Sequence, residues 1–115
     1  MNIEDHLSKA KRQERSVEKL NPKEDWEAII EILYGAAMHY IACISEKRLH
    51  SHSDTHKHLA RYLTESGLGH IAELFRELEQ LRLGRWYGGR ENGETAERAK
   101  EILKEIKDEW DHVKE

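Results

Sequence analysis

WEAIIEILYGAAMHYIACI, running from Trp26 to Ile44, is apolar on nearly every side instead of along one stripe. A helix of that kind needs neighbours all round, so it is the buried centre of a helical fold. Ile29, Ile30, Leu33, Ala37, Ile41 and Ile44 recur at helical spacing, and Ile32, Tyr34, Ala36, Met38, Tyr40 and Cys43 fill the other faces. Two polar groups inside it call for a reason. Tyr34 and His39 are five positions apart and therefore about 140° apart around the axis.

The rest of the chain reads as partners for this helix. Ile3, Leu7, Ala10, Val17 and Leu20 form a thin stripe among charges, with Asn2 and Asp5 at capping-box spacing, which predicts a first helix docked by a narrow face. Asn21-Pro22 ends it and opens the approach to the central helix, which should run to about Lys47. Ser51 and Asp54, again at capping-box spacing, predict a short helix from near Ser53 to Ser66-Gly67, with Leu59, Tyr62 and Leu63 inward. Ile71, Leu74, Phe75, Leu78, Leu81 and Leu83 mark a fourth helix from His70 to Arg85, broken at Gly88-Gly89. Thr95 to Val113 is a fifth, its inner face made by Ala96, Ala99, Ile102, Leu103, Ile106, Trp110 and Val113. No stretch alternates as a strand would. The expected fold is all-α, an up-and-down bundle of four main helices plus a short extra one, closed around the second.

Composition narrows the function classes. The 115 residues make one domain by size, with 37% charged and 37% apolar residues and a single proline, as in a helical bundle. A formal charge of −4 argues against a protein that coats nucleic acid non-specifically, while leaving room for a local basic patch. The one cysteine, Cys43, falls in the buried helix, so no disulfide forms within the chain and a reducing, cytoplasmic setting is expected. The N-terminal residues lack a signal-peptide core, and the one long apolar run carries Glu31 and His39. No membrane segment is expected.

Three groups of residues could carry chemistry. His39, with an ordinary pKa of about 6.5, could act as acid, base or hydrogen-bond anchor, or be a core histidine bonded to a carbonyl or a tyrosine hydroxyl. His50, His52, His56 and His58 lie close together, with Asp54 and His58 on one face of the expected short helix. Of these, His52, Asp54, His56 and His58 are weak candidates for a metal; their spacing matches no standard motif, and a solvated turn explains them as well. Arg82, Arg85 and Arg90 flank Trp86 and Tyr87, the one place where basic and aromatic residues interleave. Arginine can grip a phosphate while an aromatic ring stacks on a base. The other account has Trp86 and Tyr87 closing the bundle while the arginines bond helix-end carbonyls or carboxylates such as Glu77 and Glu79. Lys9, Lys11, Arg12 and Arg15 also form a basic run, which Glu4, Asp5, Glu14 and Glu18 dilute in sequence. That run reads as a solvated face.

The central helix and the end of the fourth together resemble the HEPN family, the small helical "higher eukaryotes and prokaryotes nucleotide-binding" domains. Many of these carry a Tyr-Tyr-Ala-x-Phe-His pattern. The matching run here is Tyr34-Gly35-Ala36-Ala37-Met38-His39, with Gly35 in place of the second aromatic and Met38 in place of the Phe. Leu49 to Thr55 and His56 resemble the loop and His-bearing helix start that follow, and Leu81 to Gly88 resembles the Arg-x-Tyr stretch of the penultimate helix. Catalytic members are metal-independent ribonucleases that use an Arg and a His separated by four to six residues, and that spacing is missing here. The resemblance therefore implies a non-catalytic binding protein. It would partner a minimal nucleotidyltransferase, in a toxin–antitoxin-like pair, or act in nucleotide- or RNA-linked regulation.

The candidate ligand-binding residues are Arg82, Arg85, Trp86, Tyr87, Tyr34 and His39, with His39 approaching the arginines if its helix packs beside theirs, as the resemblance implies. No cofactor is implied. The alternatives are an atypical ribonuclease using His39 or His56 with Arg85, and a purely structural interaction module. A homodimer is expected, because Trp26, Tyr34, Tyr40, Phe75 and Trp86 supply more large apolar surface than one central helix covers.

Overall fold

The computed structural model describes residues 2–50, 59–84 and 92–115. Five helices account for them: α1 (Ile3–Glu18), α2 (Trp26–Leu49), α3 (Leu59–Glu65), α4 (Gly69–Gly84) and α5 (Asn92–Val113). There is no strand among the described residues, and the fold is the all-α bundle that the periodicity predicts. The expected helix onset near Ser53 lies outside the described residues.

α2 is the axis. Its 24 residues reach about 36 Å at 1.5 Å per residue, close to the 39 Å long dimension of the molecule. Ile29, Ile30, Tyr40, Ile41, Cys43 and Ile44 are sealed in the core. By length and composition alone α2 could cross a bilayer, but 67% of its most apolar window is buried inside the protein. α1, α4 and α5 pack on it, and α3 packs on α4 instead, so the closure around α2 comes from three helices and not four.

Local chemistry sets the helix ends. Asn2 caps α1, its Oδ1 accepting from the Asp5 N–H at 2.8 Å, as the capping-box spacing predicts. Between α1 and α2, Asn21 Oδ1 accepts from the N–H groups of Lys23 and Glu24, while Asp25 turns its carboxylate back to the Asn21 N–H. α2 stops at His50, which takes a left-handed conformation (φ 58°) and returns its N–H to the Glu46 carbonyl. α3 ends in a Schellman motif. Leu68 N–H reaches the Leu63 carbonyl at 2.8 Å and Gly67 N–H the Thr64 carbonyl at 3.3 Å, with Gly67 at φ 84°, a region open to glycine at no steric cost. Leu63 and Leu68 are both buried, the apolar contact that accompanies this motif.

α1 docks through more than its apolar stripe. Ala10 and Val17 are buried, and the gaps at three- and four-residue spacing are filled by His6, itself buried, and by half-buried Gln13. On α2 the residue facing Gln13 is Gly35. A Cβ built there would lie 3.0 Å from Gln13 Nε2, so the missing side chain lets the Gln13 amide lie directly on the central helix. α5 buries Ala96, Ala99, Ile102, Leu103, Ile106 and Trp110, the face read from its periodicity. It begins at Asn92, three residues ahead of the expected Thr95.

Candidate functional site

Glu31 and Tyr34 are three apart on α2 and so share a side of that helix. α4 crosses this side and delivers Arg82 from its last turn. Arg82 Nε lies 3.1 and 3.2 Å from the two Glu31 carboxylate oxygens, and its guanidinium carbon sits 4.4 Å above the centre of the Tyr34 ring. Phe75 packs against Tyr34 at 5.4 Å between centroids. A guanidinium over an aromatic face is an attractive arrangement, and here it joins α4 to α2. Burial pushes the Tyr34 hydroxyl up to about 12, with the Glu79 and Glu31 charges adding to the effect and Arg82 opposing it.

Electrostatics decides what this corner favours. Glu31 and Glu79 outnumber Arg82, so the described residues offer no surplus positive charge to an incoming anion. Arg82 answers to a carboxylate, as the bundle-closing account requires, but the carboxylate is Glu31. Glu77 is taken by Arg98 of α5, which forks onto it at 2.5 and 2.7 Å and also reaches Glu101 at 3.1 Å. That hydrogen bonding lowers the Glu77 pKa, against the effect of burial. Arg85, Trp86, Tyr87 and Arg90 lie outside the described residues.

His39 belongs to another seam. Its Nδ1 is 2.8 Å from Nδ1 of His6 on α1, with ring centroids 5.1 Å apart. The turn between Tyr34 and His39 sends the tyrosine to α4 and the histidine to α1. Among the described residues His39 therefore faces α1 and not Arg82; Arg85, the other arginine of that expectation, lies outside them. In an N–H···N bond one ring donates and the other accepts, so at least one of the two is neutral. Two turns further along α1 in the same seam lies Gln13, whose Oε1 is buried without a hydrogen-bond partner. His6 and Gln13 were missed in sequence, although positions 6, 10, 13 and 17 keep the rhythm of α1's inner face.

A third cluster links three helices. Tyr40, fully buried on α2, donates a short hydrogen bond to Glu14 Oε1 on α1, and Lys107 of α5 reaches Glu14 Oε2 at 3.2 Å. Burial and this bond push the Tyr40 hydroxyl pKa well up. Beside it a cleft of about 410 Å³ opens between α1 and α5, floored by Val17, Leu33 and Leu103. Glu14 and Glu18 edge one side, and Lys100, Lys104 and Lys107 the other. Its lysines are already engaged, with Glu97 at 3.5 Å, Asp108 at 3.6 Å and Glu14 at 3.2 Å respectively. Floor residues this well covered leave little apolar surface for a ligand to bury.

Among the described residues no three His, Cys, Asp or Glu side chains converge as a metal site would require. The candidate ligands His52, Asp54, His56 and His58 lie outside them. Cys43 is buried, its thiol pushed up to about 11 by that burial and donating to the Ile3 carbonyl at 3.6 Å. The fold and these clusters define a small all-α bundle whose polar interior groups tie helix to helix. No family model, curated protein or solved structure matches the chain.

Proposed function

We propose that this chain is a non-catalytic, HEPN-like binding protein that works as the partner of another protein, in the manner of a minimal nucleotidyltransferase's companion. The observation that supports the non-catalytic half is that His39 lies at a different helix contact from Tyr34 and Arg82, which stack on each other. His39 is bonded to His6, and Arg82 is paired with Glu31 across a different helix contact. General acid–base cleavage of RNA needs its groups within reach of one phosphodiester, and these two face different neighbours. The partner half rests on the resemblance of Tyr34 to His39 and of the end of α4 to that family.

Two assays test this reading. A labelled single-stranded RNA incubated with the protein should stay intact; cleavage that vanishes in His39→Ala or Arg85→Ala would replace the proposal with the ribonuclease alternative. Co-expression with a minimal nucleotidyltransferase encoded beside this chain should yield a co-purifying complex. Absence of such a gene, or of a complex, removes the partner assignment.

The homodimer remains part of the proposal on the partly buried Trp26 and on Trp86, which lies outside the described residues. Its aromatic argument has lost force, because Tyr34, Tyr40 and Phe75 are covered within one chain and Leu83 is the exposed large hydrophobic among the described residues. Sedimentation at the mass of a single chain would end it.

A further inference from the structure

α1 sorts charges that the sequence interleaves. Its exposed side carries Lys9, Lys11, Arg12, Arg15 and Lys19. At 100° per residue these five occupy an arc of about 160° over roughly 15 Å of helix, and from Lys9 to Lys19 no acidic side chain falls inside that arc. Of the four carboxylates that dilute the run in sequence, Glu14 and Glu18 lie off the arc, while Glu4 and Asp5 share its angular range but precede Lys9 at the N-terminal end of the helix. Glu4 and Asp5 sit in the first turn, Glu14 points inward to Tyr40 and Lys107, and Glu18 edges the cleft toward α5. None of the five cations forms an ion pair with a described residue, whereas Arg48, Arg82, Arg98 and Lys107 are all committed to carboxylates. α1 packs on α2 and meets α5 through Glu14 and Lys107 on its inner side, so this outer side is uncovered by the described elements.

We infer that the outer face of α1 is a docking surface for the sugar–phosphate backbone of nucleic acid. A row of exposed cations without carboxylate partners is the electrostatic footprint of phosphate binding, and it can exist on a chain whose net charge is −4 because Glu14 and Glu18 leave the arc and Glu4 and Asp5 precede it in the first turn. The face lacks what other anionic partners require. Ile3, Leu7, Ala10, Val17 and Leu20 all turn toward the core, leaving no apolar side chain to anchor an amphipathic helix in a bilayer. For the same reason it has no apolar or aromatic centre of the kind protein interfaces are built on, whereas nucleic-acid interfaces are polar and strongly positive. The surface is separate from the Arg82 corner, so it stands whether or not that corner binds a nucleotide.

The test is fluorescence anisotropy of the full chain with a labelled unstructured RNA and a labelled duplex DNA, each about 20 nucleotides long, over about 50 to 200 mM salt. If all five cations engage, the log–log salt slope on single-stranded RNA approaches about −3.5, at about 0.7 per phosphate contact. Arg12→Glu/Arg15→Glu should weaken binding at least tenfold (~10-fold) and flatten the slope by about 1.4. Lys47→Glu/Lys114→Glu, which changes net charge equally on α2 and the C-terminal end, should stay within about twofold of wild type if the α1 face alone is used. Thermal melts of both variants show that the bundle is intact. Absence of binding at the lowest salt, or equal losses in the two variants, overturns the inference. So does tighter binding to phosphatidylserine vesicles with the same dependence on Arg12 and Arg15, which would reassign the face to a membrane surface. Arg82→Ala should bind as wild type; a loss as large as that of Arg12→Glu/Arg15→Glu would move the site to the Arg82 corner and overturn the inference.

Discussion

Removing one hydroxyl, by Tyr40→Phe, tests whether the Tyr40–Glu14–Lys107 link holds α1, α2 and α5 together. The ring stays, so core packing around this fully buried residue is unchanged and only the hydrogen bond to Glu14 is lost. A hydrogen bond to a charged group contributes about 1.5–3 kcal/mol. Glu14 keeps a side-chain exposure of 23%, so water reaches part of the abandoned carboxylate and the expected loss is about 1–2 kcal/mol. At roughly 5 °C per kcal/mol for a domain near this size, the midpoint should fall by about 5–10 °C. Lys107→Met should cost less, about 0.5 kcal/mol, because the lysine side chain is 40% exposed. Glu14→Met strands the buried hydroxyl, but combined with Tyr40→Phe it removes both partners, so the double variant should be more stable than the sum of the singles by about 1–2 kcal/mol. Urea unfolding of the four proteins supplies the cycle. A Tyr40→Phe protein as stable as wild type, or strictly additive variants, would refute the reasoning.

Two glycines should respond in opposite directions in the same unfolding assay. Gly67→Ala forces a side chain into the left-handed cap of α3 and should cost about 1 kcal/mol; Gly35→Ala gains up to about 1 kcal/mol of helix propensity against a small shift of the Gln13 amide, a flexible end that is already unsatisfied on its oxygen, so it should be neutral to stabilising. Stability should fall as pH rises above 10, because the unfolded chain then releases phenolic protons that folded Tyr34, pushed up to about 12, and folded Tyr40, pushed further, retain; below that pH both states are protonated and these groups contribute no slope. Absorbance titration of tyrosinate alongside unfolding checks the order of events, and ionisation of all four tyrosines before any unfolding would contradict it. Cys43, with its thiol pushed up to about 11, should react with a disulfide reagent near pH 8 at least about a hundredfold more slowly than in urea; comparable rates would show that the α1–α2 seam opens freely.

The fold was legible because periodicity reports burial directly. α2 is apolar all round, α5 keeps its rhythm from Ala96 to Trp110, and Gly67 marks the end of α3, so each was readable from a short window. Which helices touch was not. α3 rests on α4 while α1 and α5 flank α2, and no local pattern distinguishes these neighbours. The site residues show the same limit. Tyr34, His39 and Arg82 were identifiable as polar or cationic groups in significant places, but their functions depend on partners 33 to 51 positions away. His6 answers His39, and Glu31 answers Arg82. Composition cannot supply those pairings, since a guanidinium looks equally suited to a phosphate or a carboxylate until the bundle closes.

Charge on α1 shows the converse, a feature that local geometry does contain but linear reading conceals. Along the chain, Glu14 and Glu18 stand among Lys9, Lys11, Arg12, Arg15 and Lys19, and a linear count sets them against those cations. Around the helix they stand apart. Glu14 falls on the side that docks, where a fully buried tyrosine hydroxyl and a lysine need its carboxylate, and Glu18 falls at the edge of the cleft. The same 3.6-residue period that places Ala10 and Val17 inside leaves the five cations outside and together. A net charge therefore constrains the whole chain far more than any one of its faces, and counting acids against bases within a helical segment measures the wrong quantity. The count that bears on binding is taken around the axis, after the inward-facing residues have been removed.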